Sequence, residues 1–499
     1  MLIIFRSKKE TIKLSSFFEE RSMSRQIGSL VLFILFFLTP CLSCADTHNV
    51  PSPYDDSDVQ KIINSASCVS GDIVYIPAGA VTWDTTVLIP DSKKITIQGG
   101  GMASTAITSN GTAIAMNASG SRLTGMEFIL PEGASGNISV SAKGTGWRVD
   151  HCKFTNNTGV SRVGFGATAS NSDILPSGLV DHCEFYQSRT GVQGWTYGSG
   201  ALLKCSQEWA KASVIGTANA VYFEDNTFYK TLGDGGNITD ANYAASYVAR
   251  YNTITGSQCQ VHSLQNDTSR GPRSWEIYEN TFNAESAVWT PMFVRAGTGM
   301  IWGNTIDTDY NVDGVIFDNR RSYESFGIAG QCNGTSDWDG NTPGESGWPC
   351  RDQIGRGPDV SEWGGSGALP ASTSSPAYLW LNRSGENIGI VSIHNNCENW
   401  IQSDRDYFNE VASFDGSTGV GTGTYAQMTA LSPTKINAGF WCTDKGGNWN
   451  TSNEDVNDGC LYAWDGKSWE VEYTPYTYPH PLQNQMQPPI PPQNLKQSN

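Results

Sequence analysis

Along this chain apolar and polar residues alternate in short runs, such as Val221-Tyr222-Phe223-Glu224-Asp225 and Trp275-Glu276-Ile277-Tyr278-Glu279. Alternation of this kind predicts short half-buried strands. Runs of this type are followed by a recurring tripeptide: Asn226-Thr227-Phe228, Asn252-Thr253-Ile254, Asn280-Thr281-Phe282 and Asn304-Thr305-Ile306. The steps between the asparagines are 26, 28 and 24 residues, a period that marks a solenoid. The copies carry no hairpin signal such as Asn-Gly between alternating runs, so parallel stacking is favoured over a propeller or a sandwich. In such a stack Phe, Ile and Val turn inward, and the recurring Asn stands at the turn, where its side chain can bond the neighbouring copy.

The start of the pattern is different. Residues 54 to 67 place Val59, Ile62 and Ile63 at helical spacing behind Asp and Ser, predicting a short capped helix that closes the open end of a solenoid. Gly71-Asp72-Ile73-Val74-Tyr75-Ile76-Pro77-Ala78-Gly79, Val87-Leu88-Ile89 and Ile95-Thr96-Ile97-Gln98-Gly99-Gly100-Gly101 then read as three strands separated by turns. This stretch resembles the opening of right-handed parallel β-helix proteins of the pectate-lyase-like class. The fold class that follows is all-β: a right-handed parallel β-helix with a short N-terminal capping helix and long loop excursions. Val149-Asp150-His151-Cys152-Lys153-Phe154 and Val180-Asp181-His182-Cys183-Glu184-Phe185 are further copies, and Ile393-His394-Asn395-Asn396-Cys397 is read as the last. The expected organisation is a signal peptide over 1–45 with Met23 as an alternative start, a cap over 46–70, and the β-helix over 71–482. Within the last of these, 332–376 form an excursion holding Trp338, Trp348 and Trp363, and the aromatic tail Tyr473 to Pro481 packs along the solenoid or its end. Residues 483–499 read as disordered.

Composition supports a turn-rich exported protein. The chain has 53 Gly and 16% charged residues among its 499. The apolar run Leu30 to Leu38 follows Arg21 and Arg25 and precedes Ser43 and Ala45, the order of a secretory signal with cleavage after Ala45. It is too short for a membrane span. Lipid attachment at Cys44 or Cys41 is the lesser alternative. Loss of residues 1–45 takes the formal charge from −17 to −20, which argues against nucleic acid as a partner and leaves extracellular polysaccharide. A secreted or cell-surface monomer is expected. Ten of the 12 cysteines follow residue 45. Cys332 with Cys350, and Cys442 with Cys460, bracket Gly- and Asn-rich segments as disulfide staples would. Zinc is disfavoured because no Cys/His cluster is visible in the sequence.

Registering the copies on their asparagines exposes a second ladder: Asp240, His262, Arg295 and Asp318, each 10 to 15 residues further on. At about 4.8 Å per strand, Asp240 and Asp318 would stand roughly 14 Å apart, the length of a few sugar units. A solvated outer face explains the same charges. The mixture of both signs with a histidine, the neighbouring Arg250, Arg270 and Arg273, and an excursion able to supply Arg351 and Arg356 point instead to chemistry. His151 and His182 each follow an Asp and read as structural. The segments around Asp240, Arg270 to Asn280, Pro349 to Arg356 and the Tyr-Thr-Tyr-Pro-His ending are similar to a group of exported bacterial β-helix proteins without a firmly assigned activity. The wider class holds lyases, hydrolases, esterases and adhesins, so the fold alone decides little.

Lyase chemistry on an acidic polysaccharide, by β-elimination, fits best. Arg270 and Arg273 would clamp the uronate carboxylate, and His262 or Arg295 would serve as base, with Arg273 counted among the catalytic candidates. Asp240 and Asp318 would line the substrate with Arg250, Arg351 and Arg356, or hold a calcium ion. A glycoside hydrolase needs carboxylates about 5 to 9.5 Å apart and would have to recruit Asp267 or Glu224. A non-catalytic glycan-binding or adhesin-like surface protein, stacking sugars on some of the 16 Trp and 19 Tyr, is the other alternative.

Overall fold

The computed structural model describes residues 45–484 apart from 132–137, 158–161, 170–173, 196–200, 232–235, 264–269, 286–288, 313, 326–329, 337–338, 340–349, 359–373 and 396. The signal segment with Met23, Cys41 and Cys44, the three excursion tryptophans, Asp267 and the final residues 485–499 lie outside the described residues.

Three long sheets, every pairing within them parallel, are built from strands between residues 47 and 409. Sheet 1 has twelve strands, from Thr47–Asn49 to Tyr407–Asn409. Sheet 2 has ten, from Gly79–Trp83 to Arg383–Ser384, and sheet 3 has ten, from Val87–Ile89 to Val391–Ile393. Each coil contributes one strand to each sheet in turn. That is a parallel β-helix, right-handed as parallel crossovers are. The helix Asp56–Asn64, capped by Asp55, buries Val59 and Ile63 against the first coil.

The recurring asparagine explains the corner between sheets 1 and 2. The residue before it is left-handed in every copy: Asp225 (φ 58), Tyr251 (φ 57), Glu279 (φ 55) and Gly303 (φ 65). A left-handed residue turns the chain sharply, and the Asn that follows satisfies the backbone groups this exposes. Asn280 Nδ2 donates to Ala249 O (2.9 Å) and Tyr278 O (3.0 Å), and its Oδ1 accepts from the Asn252 N–H (3.0 Å) and Nδ2 (2.9 Å). Four such links join Asn226, Asn252, Asn280, Asn304 and Asn382. The ladder ends at Asn382, behind left-handed Leu381 (φ 55), and not in the 393–397 segment read as its last copy. Ile393 instead pairs with Phe317 in sheet 3. Cys152 and Cys183 fill the same corner position in earlier coils, behind left-handed His151 and His182, and are buried. Inside the next sheet Phe128, Phe154, Phe185 and Phe228 form a stack with centroids 5.5, 4.7 and 4.6 Å apart.

The outer side of sheet 1 holds a second apolar core, covered by the C-terminal segment. Tyr222, Tyr278, Trp302, Trp380 and Phe408 pack there against Trp441, Trp449 and Tyr473. Sheet 4, formed by Val420–Gly423, Gly439–Cys442, Cys460–Trp464 and Trp469–Tyr473, supplies the cover, and residues 473–484 continue from it as a strap. Cys332 and Cys350 form a disulfide. Cys442 and Cys460 do not: they face each other across an antiparallel pair as separate buried thiols, the first 3.5 Å from Met428 Sδ. The insertion around Trp195 to Lys211 contains a helix, Ala201–Trp209.

Candidate functional site

Sheet 3 carries the predicted ladder on its outer face. Val261, Val294 and Phe317 point inward and are fully buried, so the residues after them turn outward. Val261 pairs with Val294, and Val294 with Phe317. His262, Arg295 and Asp318 therefore form one row on three consecutive coils, and His394, whose N–H donates to Phe317 O at 2.9 Å, extends it. Asp240 stands outside this row. It pairs with Gln260, leaving Asn242 in line with His262. The two-residue offset places the Asp240 carboxylate at the side of the imidazole.

His262 is engaged at both ring nitrogens. Asp240 Oδ1 contacts Nε2, which the Gln260 side-chain amide also approaches at 3.0 Å, and Arg295 Nη2 lies 2.8 Å from Nδ1. A guanidinium only donates, so Nδ1 is the accepting nitrogen and Nε2–H points at Asp240. Burial lowers the His262 pKa, opposed by Asp240 and assisted by the Arg295 charge, a balance that favours the neutral ring. Burial also brings Arg295 down to about 10, with Asp240 and Asp318 acting against it. Burial pushes the Asp240 carboxyl up, but His262, Arg189 and Arg295 outweigh it and hold the group below its ordinary value. Arg189 Nη1 lies 3.4 Å from Asp240 Oδ2. Asp318 goes the other way, raised by burial, although Asn395 Nδ2 donates to it at 3.0 Å.

The surroundings are aromatic and cationic. The Arg295 guanidinium sits 4.7 Å from the Phe293 ring, and Trp289 meets Phe293 and His394 edge-on at 5.1 and 5.0 Å. Arg320 grips Glu324 with Nη2 (3.0 and 2.8 Å). Tyr323, 42% exposed, stands beside it and feels the charges of Asp318 and Arg295. Arg189, Arg320 and Tyr323 escaped the sequence reading, because none lies at the ladder spacing.

The remaining predicted residues lie elsewhere. Arg250 is on sheet 1, fully buried, bonded to Glu224 (2.6 Å), Tyr278 Oη (2.8 Å) and the strap carbonyls of Tyr476 (2.6 Å) and Thr477 (2.8 Å). Arg270 and Arg273 are buried against Trp209, 4.5 and 5.3 Å from its ring, and Arg273 also donates to Lys211 O at 3.1 Å. Burial and the Arg270 charge lower Arg273 to about 10. Arg351 and Arg356 are buried in a segment that packs on the turn after sheet 3: Gly355 N–H donates to Gly297 O and Gly271 N–H to Asp352 Oδ2, both at 3.1 Å. His151 and His182 stack at 5.2 Å, each bonded to the preceding Asp at 2.9 Å.

No family model matches the chain, and no curated protein does. Among solved structures it is similar in fold to a mannuronic acid specific polysaccharide family 6 lyase from human gut microbiota, at 16% identity over 55% of this chain and 67% of that one, TM-score 0.35. An alginate lyase from Paenibacillus sp. str. FPU-7 matches at 11% identity over 55% of this chain and 93% of that one, TM-score 0.36. A PL6 family polysaccharide lyase from Pseudopedobacter saltans matches at 14% identity over 78% and 88%, TM-score 0.34. These likenesses are to a fold.

As for metals, among the described residues one trio of His, Cys and carboxylate donors converges: His48, Cys68 and Asp72, with ligand atoms within 4.8 Å of one another. The sequence hid it, because the three come from the first strand and a loop twenty residues on. Asp72 is engaged by backbone N–H groups of Asp46 (3.1 Å) and Val69 (2.9 Å) as well as by His48 (2.9 Å). Asp240 and Asp318 are held by the partners described above.

Proposed function

We propose that this protein is an exported carbohydrate-active β-helix protein that cleaves an acidic polysaccharide by β-elimination on the outer face of sheet 3. The observation that carries the reading is the His262 imidazole set between the Asp240 carboxylate and the Arg295 guanidinium. A uronate carboxylate is a better acceptor for a guanidinium than an imidazole nitrogen is. When substrate takes over Arg295, the Nδ1 lone pair of His262 is released beside the carbon that bears the carboxylate. His262 removes the C5 proton, the electron pair forms the C4–C5 double bond, and the C4–O bond breaks. Asp240 stabilises the imidazolium, as a carboxylate does for a histidine base. Burial, followed by the Asp318 charge, raises the Tyr323 pKa and keeps its hydroxyl protonated, the state required of an acid that delivers a proton to the leaving oxygen. Arg189 and Arg320 supply positive charge to neighbouring uronates.

Hydrolysis by Asp240 and Asp318 is disfavoured by register, since they lie three coils apart, roughly 14 Å or more, beyond the reach of a two-carboxylate mechanism. The test is a panel of uronate-containing polysaccharides, with and without calcium, followed by the ultraviolet absorbance of the unsaturated product and by new reducing ends. Absorbance with matching reducing ends supports elimination. Reducing ends without absorbance replace it with hydrolysis, and neither on the whole panel leaves a glycan-binding protein.

A further inference from the structure

The N-terminal end of the β-helix holds a cluster of side chains that the sheet 3 face does not use. In sheet 1, His48 pairs with Val74, Val74 with Ile97, Ile97 with Leu123 and Leu123 with Val149. Residues paired in a parallel sheet point to the same side, and Val74, Ile97, Leu123 and Val149 are the fully buried inward row. His48 is therefore the first member of an apolar row, an imidazole turned over the end of the bore. Cys68 and Asp72, 1% and 2% exposed, reach it from the loop between the helix Asp56–Asn64 and the strand Ile73–Ile76. We propose that His48, Cys68 and Asp72 bind one zinc ion that seals this end of the solenoid.

The donor set is that of zinc. Thiolate, imidazole and carboxylate are its usual protein ligands, and three of them leave the fourth tetrahedral position to water. The three ligand atoms lie within 4.8 Å of one another, and His48 Nε2 is already 2.9 Å from Asp72 Oδ2. Around a tetrahedral zinc, ligand atoms stand about 3.3 to 3.8 Å apart, so movements of about 1 Å or less complete the site. The loop is held by its own backbone. Cys68 N–H donates to Ser65 Oγ at 3.2 Å and Asp72 N–H to Val69 O at 3.1 Å, with Gly71 (φ 106) turning the chain between them. Asp72 Oδ1 accepts from the Asp46 N–H (3.1 Å) and Oδ2 from the Val69 N–H (2.9 Å), the kind of outer hydrogen bond that orients a ligating carboxylate. Both are kept when zinc replaces the hydrogen between His48 and Asp72. The imidazole then holds its one proton on Nδ1, Cys68 gives its thiol proton to solvent, and thiolate and carboxylate together neutralise the ion. A hydrogen bond alone accounts for His48 and Asp72, but it gives the buried thiol beside them no role. The strand that carries His48 is three residues long and stands at the edge of sheet 1, and zinc would tie it to the loop behind the capping helix.

The site needs neither the sheet 3 face nor its chemistry. The test is zinc titration of chelator-stripped, reduced protein against a chromophoric competitor, repeated with cobalt(II), whose bonding to a thiolate gives a charge-transfer band. Wild type should take up one zinc per chain, show that band with cobalt, and melt at a higher temperature with zinc than without it. Cys68→Ala should lose the band. Both Cys68→Ala and His48→Gln should lose about 100-fold or more in zinc affinity, since removal of an outer partner alone costs roughly 10- to 100-fold. Glutamine still donates to Asp72, so a metal-free melting curve of His48→Gln close to wild type separates lost metal from lost fold. The double variant His151→Ala/His182→Ala should bind zinc as wild type does. Failure of wild type to compete for zinc, a charge-transfer band that survives in Cys68→Ala, or affinity lost with His151 and His182 instead would overturn the proposal. The first of these leaves a hydrogen-bonded cap, and the other two place the ion elsewhere.

Discussion

Arg295 on one coil reaches His262 on the coil before it, Nη2 to Nδ1, at 2.8 Å. This contact decides which imidazole nitrogen is basic, and it fixes how activity should respond to substitution and pH. His262→Ala should lower the elimination rate by about 100-fold or more, the ordinary loss for a general base, with a melting temperature close to wild type. Because burial lowers the His262 pKa, the neutral base persists below the ordinary value of about 6.5. The acid limb of the kcat/KM profile should therefore fall below pH 6.5. A limb centred above pH 7 would contradict the assignment.

Two things about the site were hidden in the sequence. Counting from each Asn located the strands of sheet 3, because corner and strand are separated by similar lengths of chain. It placed Asp240 in line with His262, although the paired residue is Asn242. Turns between sheets 2 and 3 differ in length from coil to coil, so a count from the corner drifts by a residue or two while strand pairing does not. The positions of Arg250, Arg270 and Arg273 depend on the strap and on the helix Ala201–Trp209, contacts across many residues with no periodic signal.

Arg250 is predicted to be structural. Arg250→Met removes a buried guanidinium from Glu224, Tyr278 and two strap carbonyls, and leaves the carboxylate without its cation. Breaking a buried pair from one side costs about 3–5 kcal/mol. Denaturant unfolding should show a loss of that order, and a loss under 1 kcal/mol would argue against this role.

The asparagine ladder should behave as a cooperative support. Asn280→Ala strips an acceptor from the Asn252 N–H and donors from Ala249 O and Tyr278 O. Buried backbone groups left unpaired cost roughly 1–3 kcal/mol each. Chemical denaturation of Asn280→Ala should show a loss larger than that of Thr281→Ala at the exposed position beside it.

His480 makes the strap sensitive to acid. Burial, followed by the Arg250 charge, lowers its pKa to about 3, against about 6.5 when unfolded. The unfolded form binds the extra proton between these values, so stability is complete above pH 6.5 and declines as pH falls toward 3, by up to about 1.4 kcal/mol per unit. Glu224 and Glu276, raised by burial, favour their protonated forms when folded and oppose this decline only as pH approaches the carboxyl range. After division by the intrinsic exchange rate at each pH, the protection of amides over residues 473–484 should fall from pH 7 to pH 5.5, and His480→Gln should remove most of the change.

The strap also sets how the molecule meets a load. Its residues contact the coils in reverse order, Tyr473 at Glu276, Thr477 at Arg250, His480 at Glu224 and Gln483 at Arg148. A force on the C terminus would reach the Arg148 end first and strip these attachments one after another, as a peeled seam opens. The coils beneath, tied to one another through many parallel strands, would bear the pull only after the seam had opened.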